Sequence, residues 1–176
     1  MGMKVFLTTP VSKDNTYGRW VLLPVRQERI GGILKRMNYA TEQPEFFVSD
    51  ETADIVFLKG TVSSYSEAIR LNNLARDISS LSEHDENIFC ALMECESQPD
   101  INTAEQMLKQ LSKWELLDGI DTDETLGKFF ADVWSKKVPY SDNSSIGIYI
   151  RNRYECIFTS FGCLICGLER LLCVKW

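Results

Sequence analysis

From Ser66 to Leu81 the apolar residues Ile69, Leu71, Leu74, Ala75, Ile78 and Leu81 recur at three- and four-residue intervals, the spacing that collects side chains on one face of a helix. Glu67, Arg70, Asn72, Asn73, Arg76 and Asp77 fill the polar side, and Ser66 stands where an N-cap is expected. Ser80 and Ser82 break the pattern. Ser82, followed by Glu83 and Asp85, opens a second amphipathic helix whose apolar side is Ile88, Phe89, Ala91, Leu92 and Met93. A third helix is predicted over Ala104–Leu117, with Met107, Leu108, Leu111, Trp114 and Leu117 on one side, after a boundary at Pro99 and a cap from Asp100 or Asn102. A fourth runs from Asp123 to Trp134, with Leu126, Phe129, Phe130, Val133 and Trp134 as its buried stripe.

The flanks read differently. Lys4–Pro10 and Gly18–Leu23 have strand character, Pro24 ends the second, and Arg26–Met37 has helical spacing through Ile30, Ile33, Leu34 and Met37. Gly31-Gly32 weakens that helix by roughly 1 kcal/mol per Gly relative to Ala. Glu45–Asp50 reads as a third strand and Ile55–Leu58 as a fourth or the end of a meander. Near the other end Ile146–Ile150 alternates like a strand, and Tyr154–Thr159 with Cys163–Ile165 suggests a closing hairpin. The fold class expected is α+β, as an elongated array of small domains. An N-terminal antiparallel sheet with a helix spans residues 1–62, a central helical unit 63–112, and a C-terminal α/β unit 113–176.

Charge sharpens this division. The net charge of −6 is modest, but residues 1–40 hold seven basic and two acidic side chains, whereas residues 41–140 hold twenty acidic and eight basic. No stretch reaches the roughly 18 apolar residues of a membrane span. Met1-Gly2-Met3-Lys4-Val5 lacks the apolar core of a secretory signal, so the expected location is the cytoplasm.

Catalytic patterns are weak. His84 is the single histidine and sits among carboxylates, so no nucleophile–base–acid triad is spelled out. Asp118-x-x-Asp121-x-Asp123-Glu124 lacks the central Gly and terminal Glu of a calcium loop. There is no phosphate-binding glycine motif. Cys156, Cys163, Cys166 and Cys173 contain only one close pair, where a four-thiolate zinc site uses two. Their apolar neighbours make them core thiols, with metal binding the weaker reading. No cofactor and no enzymatic activity are expected.

Four groups of residues carry a resemblance. Leu71, Asn72, Leu74, Ala75, Ile78, Leu81, Ser82 and Glu83 resemble the central helix and turn of the ArdA antirestriction family. Val5-Phe6-Leu7 followed by Gly18-Arg19-Trp20-Val21-Leu22-Leu23-Pro24 resembles its opening strand and G-x-W-x-x-L-P segment. Asp123–Phe130 resembles its "LGRFY"-like segment, and Ile157–Gly162 its closing strand. The matches run in family order over residues 3–165, while residues 166–176 have no counterpart.

The resemblance implies an elongated homodimer of three small domains, whose acidic surface imitates bent duplex DNA and inhibits type I restriction–modification enzymes. It implies binding to their methyltransferase and specificity core, with no direct binding of nucleic acid and no membrane. The acids expected to stand in for phosphates are Glu67, Asp77, Glu83, Asp85, Glu86, Glu94, Glu96, Asp118, Asp121, Asp123 and Glu124. The alternatives are an inhibitor of another nucleic-acid-targeting defence enzyme, such as a CRISPR nuclease, and a thiol- or zinc-dependent protein built on the cysteine cluster.

Overall fold

Val5, Val21 and Leu23 are buried while Trp20 and Leu22 between and beside them are exposed, and this alternation makes a two-sided hairpin. In the computed structural model, which describes residues 3–12, 15–37, 46–48, 60–62, 65–97, 99–134 and 142–172, strand β1 (Met3–Ser12) pairs antiparallel with β2 (Asn15–Leu23). Strands β3 (Phe46–Val48) and β4 (Gly60–Val62) complete a sheet of order β2-β1-β3-β4. A cis Leu23-Pro24 bond ends β2 and leads to helix α1 (Gln27–Met37), whose Ile30 and Ile33 are buried.

Helix α2 (Tyr65–Ser79) buries Ala68, Leu71, Leu74, Ala75 and Ile78, as the spacing predicts. It packs on α1, β2 and β4. Ser66 is the second residue of the helix, so it is not the expected N-cap. Arg70 of α2 makes a bidentate pair with Glu105 (Nε–Oε1 3.1 Å, Nη2–Oε2 2.8 Å) and donates to Asn102 at 2.7 Å. Both acceptors lie on α4 (Ile101–Gln110), which Asp100 caps by accepting from the Thr103 amide at 2.7 Å.

By its internal contacts the chain forms two compact units. The first is residues 1–81 with 97–106, and the second is 82–96 with 107–176. The expected central domain, 63–112, is shared between them, and the boundary crosses α4.

In the second unit, α3 (Glu83–Glu94) is capped by Ser82, whose Oγ accepts from the Asp85 amide at 3.1 Å. The predicted helix over Ala104–Leu117 stops at Gln110. A 3₁₀ turn (Leu111–Lys113) follows, then strand β5 (Trp114–Leu117), with Trp114 and Leu116 buried and Glu115 exposed. The apolar residues that looked like a helical stripe are thus divided between a helix end and a strand of period two. Strand β7 (Gly162–Cys166) pairs antiparallel with β5 on one side and β6 (Cys156–Thr159) on the other. A short α7 (Leu168–Leu172) closes the described chain.

Helices α5 (Asp123–Val133) and α6 (Asn143–Arg153) pack together and against one face of that sheet. Ile120, Leu126, Phe130, Trp134, Ile146, Ile150, Cys163 and Ile165 form the shared core. Trp114, Leu116 and Leu164 are buried but lie outside this cluster, and α3 packs on β5 and β7, so α3 covers the opposite face.

Ile146–Ile150, predicted as a strand, lies in α6. Its alternating β-branched residues are overridden by the Asp142 cap, which accepts from Ser145 N at 2.8 Å, and by burial at positions 146, 147 and 150, a helical interval. The two helices approach so closely that a Cβ on Gly127 would lie 1.7 Å from the Asn143 carbonyl oxygen. One on Gly147 would lie 1.8 Å from that of Asp123. The relation is reciprocal, and the burial pattern over 122–130 repeats over 142–150. Thr122 caps α5, which begins at Asp123 as predicted.

The α+β class and the N-terminal sheet with its helix are as expected. Predicted strand Ile55–Leu58 falls outside the described residues, as does Cys173.

Candidate functional site

Two of the motifs that carry the family resemblance, the central helix and the G-x-W-x-x-L-P segment, meet through one residue. Asn72 is 0% exposed, and its side chain accepts from Val25 N at 2.8 Å and donates to Val25 O at 2.9 Å. A buried amide is stable only with its donors and acceptors filled. Asn72 fills them with the backbone that follows Pro24, so the turn after the G-x-W-x-x-L-P segment is fixed by the central helix.

The eleven candidate acids divide unevenly. Glu67, half-buried, and Asp77, exposed, belong to α2 in the first unit. The other nine are in the second unit, which holds fourteen acidic and nine basic side chains against eleven and ten in the first. Glu83, Asp85 and Glu86 occupy the first turn of α3, where the helix dipole favours carboxylates. His84 Nε2 lies 3.6 Å from Glu115 Oε2, placing this end of α3 beside β5.

At the other end of α3, Glu94 accepts from Ser160 N (3.0 and 3.1 Å) and Ser160 Oγ (2.6 Å) in the β6–β7 turn. That turn abuts the end of β5, since a Cβ on Gly162 would lie 2.5 Å from Leu117 O. Asp118, Asp121, Asp123 and Glu124 leave the sheet at this same end. Six acids therefore lie on the segments that end there: these four after β5, and Glu94 and Glu96 at the close of α3.

Three of the nine serve the fold itself. Asp85 accepts from Ser82 Oγ at 2.7 Å, Glu94 anchors the hairpin turn, and Asp123 Oδ2 pairs with Arg151 Nη2 at 2.9 Å. Asp123 Oδ1 is buried without a hydrogen-bond partner. Glu83, Glu96, Asp118, Asp121 and Glu124 are exposed and make no ion pair among the described residues.

The thiols are free at Cys90, Cys95, Cys156, Cys163 and Cys166. Cys156 and Cys163 lie on one face of the β6–β7 hairpin, and their hydrogen bond, helped by Arg151, lowers the Cys156 pKa. The same hydrogen bond and burial push Cys163 well up. Burial, with Glu86 nearby, raises Cys90, and burial with Glu94 and Glu96 raises Cys95. Among the described residues no three His, Cys, Asp or Glu side chains are arranged to hold a metal ion. No described helix is long and apolar enough to cross a membrane.

One feature was not read from the sequence as a site. A cavity of about 650 Å³ lies between β2 and the start of α1, lined by Trp20, Val21, Leu22, Pro24, Val25, Arg26, Arg29 and Ile33. The alternation at Trp20 and Leu22 and the i, i+3 spacing of Arg26 and Arg29 were the available signal.

The chain matches no protein-family model, and no curated protein is similar to it in sequence.

Proposed function

We propose that the chain is a non-enzymatic antirestriction protein of the ArdA type. In this reading it is a DNA mimic that binds the methyltransferase and specificity core of a type I restriction–modification enzyme and protects incoming mobile-element DNA. The observation that carries the reading is that six acids lie on the segments ending at the hairpin end of the β5-β7-β6 sheet, with three more at the far end of α3.

The physical case rests on charge spacing. Duplex DNA presents one negative charge per ~1.7 Å of axis. The twelve residues of α3 separate the two acidic groups by roughly 17 Å at 1.5 Å per residue. That is the axial span of about ten phosphates. Glu94 and Glu96 stand at the negative end of the helix dipole with no basic residue in the last turn. Carboxylates there cost about 0.3–1 kcal/mol each when exposed. Glu94 is offset by its bonds to Ser160, but nothing in the fold offsets Glu96, whereas a partner's basic channel would. The same reading places the protein in the cytoplasm as an elongated homodimer of small domains, which sedimentation and solution scattering would test.

The direct test is competition. Purified protein should displace duplex DNA from a purified type I methyltransferase core. Its affinity should fall roughly tenfold or more between about 50 and 200 mM salt, because the contacts are charge pairs at an exposed surface. Binding that ignores both DNA and salt would refute mimicry.

A further inference from the structure

The geometry points to a second interaction surface, in the first unit. The groove between β2 and α1 is built to accept an extended acidic peptide of another protein as an added strand. This inference stands apart from the acidic surface of the second unit and does not depend on it.

Three observations converge on this groove. First, β2 is an edge of the four-stranded sheet, and among the described residues no strand pairs with its outer side. An edge strand offers a row of backbone donors and acceptors to an incoming chain. Second, from Trp20 to Leu23 β2 carries none of the charges or prolines that usually blunt an edge. Its outward residues Trp20 and Leu22 are 42% and 61% exposed, large apolar side chains where charge or proline would discourage pairing. Third, the opposite wall is basic. Arg26 and Arg29, one helical turn apart, both line the cavity, and neither makes an ion pair among the described residues.

The hardware beneath the groove is rigid. Val25 is held by both polar ends of buried Asn72, so the turn joining the strand wall to the helix wall is fixed before any partner arrives. A preformed groove lowers the ordering cost of binding. In an added strand, alternate side chains face opposite ways. One set would point toward α1 and meet Arg26, Arg29 and the edge of Ile33, which suits Glu or Asp. The other set would lie beside Trp20 and Leu22 as cross-strand neighbours, which suits Val, Ile or aromatic residues. The partner chemistry is therefore an extended segment alternating acidic and apolar residues.

The test uses the full chain and a fluorescently labelled, capped peptide of alternating Glu and Val, about eight residues long. Binding is expected, and it should weaken about tenfold or more in R26Q/R29Q and be lost in R26E/R29E. Both variants should keep the far-UV spectrum and melting temperature of the parent, since both guanidinium groups are exposed. The decisive readout is backbone N-methylation of every second residue. Methylation in one phase should abolish binding, and in the other phase should leave it within about threefold, because only one edge of an added strand faces β2. Equal effects of the two phases, or equal binding of the matching Lys-Val peptide, would overturn the proposal. Saturation by adenosine monophosphate without peptide binding would also overturn it, as a small-anion pocket. So would a concentration-dependent dimer broken by R26E/R29E that excludes the peptide, because the strand would then come from a second copy.

Discussion

The two units hold themselves together by different means. In the first, a buried polar residue does the joining: Asn72, fully buried, is satisfied by the backbone of Val25, 47 residues earlier in sequence. In the second, joining is done by the absence of side chains. Gly127 and Gly147 let α5 and α6 meet backbone to backbone, each glycine against the opposite helix's first turn. Such an approach brings Cα–H groups to carbonyl oxygens and excludes any side chain from the crossing. The units also differ in charge. The first is nearly neutral, and the second carries a net of −5 from fourteen acidic and nine basic residues. A polar lock tolerates changes around it but not in it, whereas a glycine crossing tolerates no added atom.

The largest effect should come at that crossing. Gly127→Ala or Gly147→Ala places a methyl group inside the van der Waals radius of a backbone carbonyl, so the helices must separate. A loss of about 3 kcal/mol or more is expected in chemical denaturation. The control is Gly32→Ala in α1, where nothing lies within 4 Å of the added Cβ. That change should instead gain about 0.5–1 kcal/mol, because alanine is the better helix former.

Asn72→Leu comes next. It leaves the Val25 N–H without its partner and the Val25 C=O with only the longer bond from Arg76 Nη2 at 3.4 Å, at a cost of about 1–3 kcal/mol for the unsatisfied amide. Equilibrium unfolding would measure it, and a loss below about 0.5 kcal/mol would mean that the turn finds other partners. Glu94→Ala should cost less, about 1–2 kcal/mol, since Ser160 sits at the surface and water can replace the carboxylate. Amide exchange at Ser160 should speed up without change in the core of α5 and α6.

The smallest effect concerns pH. Hydrogen bonds from Thr103 N and Oγ1, then from Asn102, lower the Asp100 pKa in the folded state. A group with a depressed folded pKa stabilises the fold above its unfolded pKa and loses that contribution as pH falls through the folded value. The parent protein should therefore lose slightly more melting temperature than Asp100→Asn on acidification from about pH 5 to about pH 2.5.

Much of this was legible in the sequence, and the failures have physical causes. The β1–β2 hairpin, α1, α2, α3 with its Ser82 cap, α5 and the closing hairpin follow from periodicity, because each buries one face against a neighbour. The α6 segment failed because Ile-Gly-Ile-Tyr-Ile alternates and is β-branched, and only its tertiary partner α5 makes Gly147 a helix residue. Strand β5 failed because Leu111, Trp114 and Leu117 keep helical spacing by chance across a helix–strand junction. Among the candidate acids, the sequence gives no reason to separate Asp85, Glu94 and Asp123, which support the fold, from Glu83, Glu96, Asp118, Asp121 and Glu124, which are exposed and make no ion pair among the described residues. That distinction needs the partners: Ser82, Ser160 and Arg151. Trp20 was visible as part of a motif, but its place beside Arg26 and Arg29 depends on the turn that Asn72 fixes.

The account's central claim is that exposed acids of the second unit act in place of phosphates. The most direct measurement is the plating efficiency of unmodified phage on cells with an active type I system that express this protein or a charge-reversed form. The form to use is E83K/E96K/D118K/D121K/E124K, which leaves Asp85, Glu94 and Asp123 in their structural roles. The account predicts escape from restriction with the parent chain and its loss with the reversed chain at equal soluble expression and equal melting temperature. Escape that survives the five reversals in a folded protein would contradict it, as would a folded parent chain that gives no escape at all.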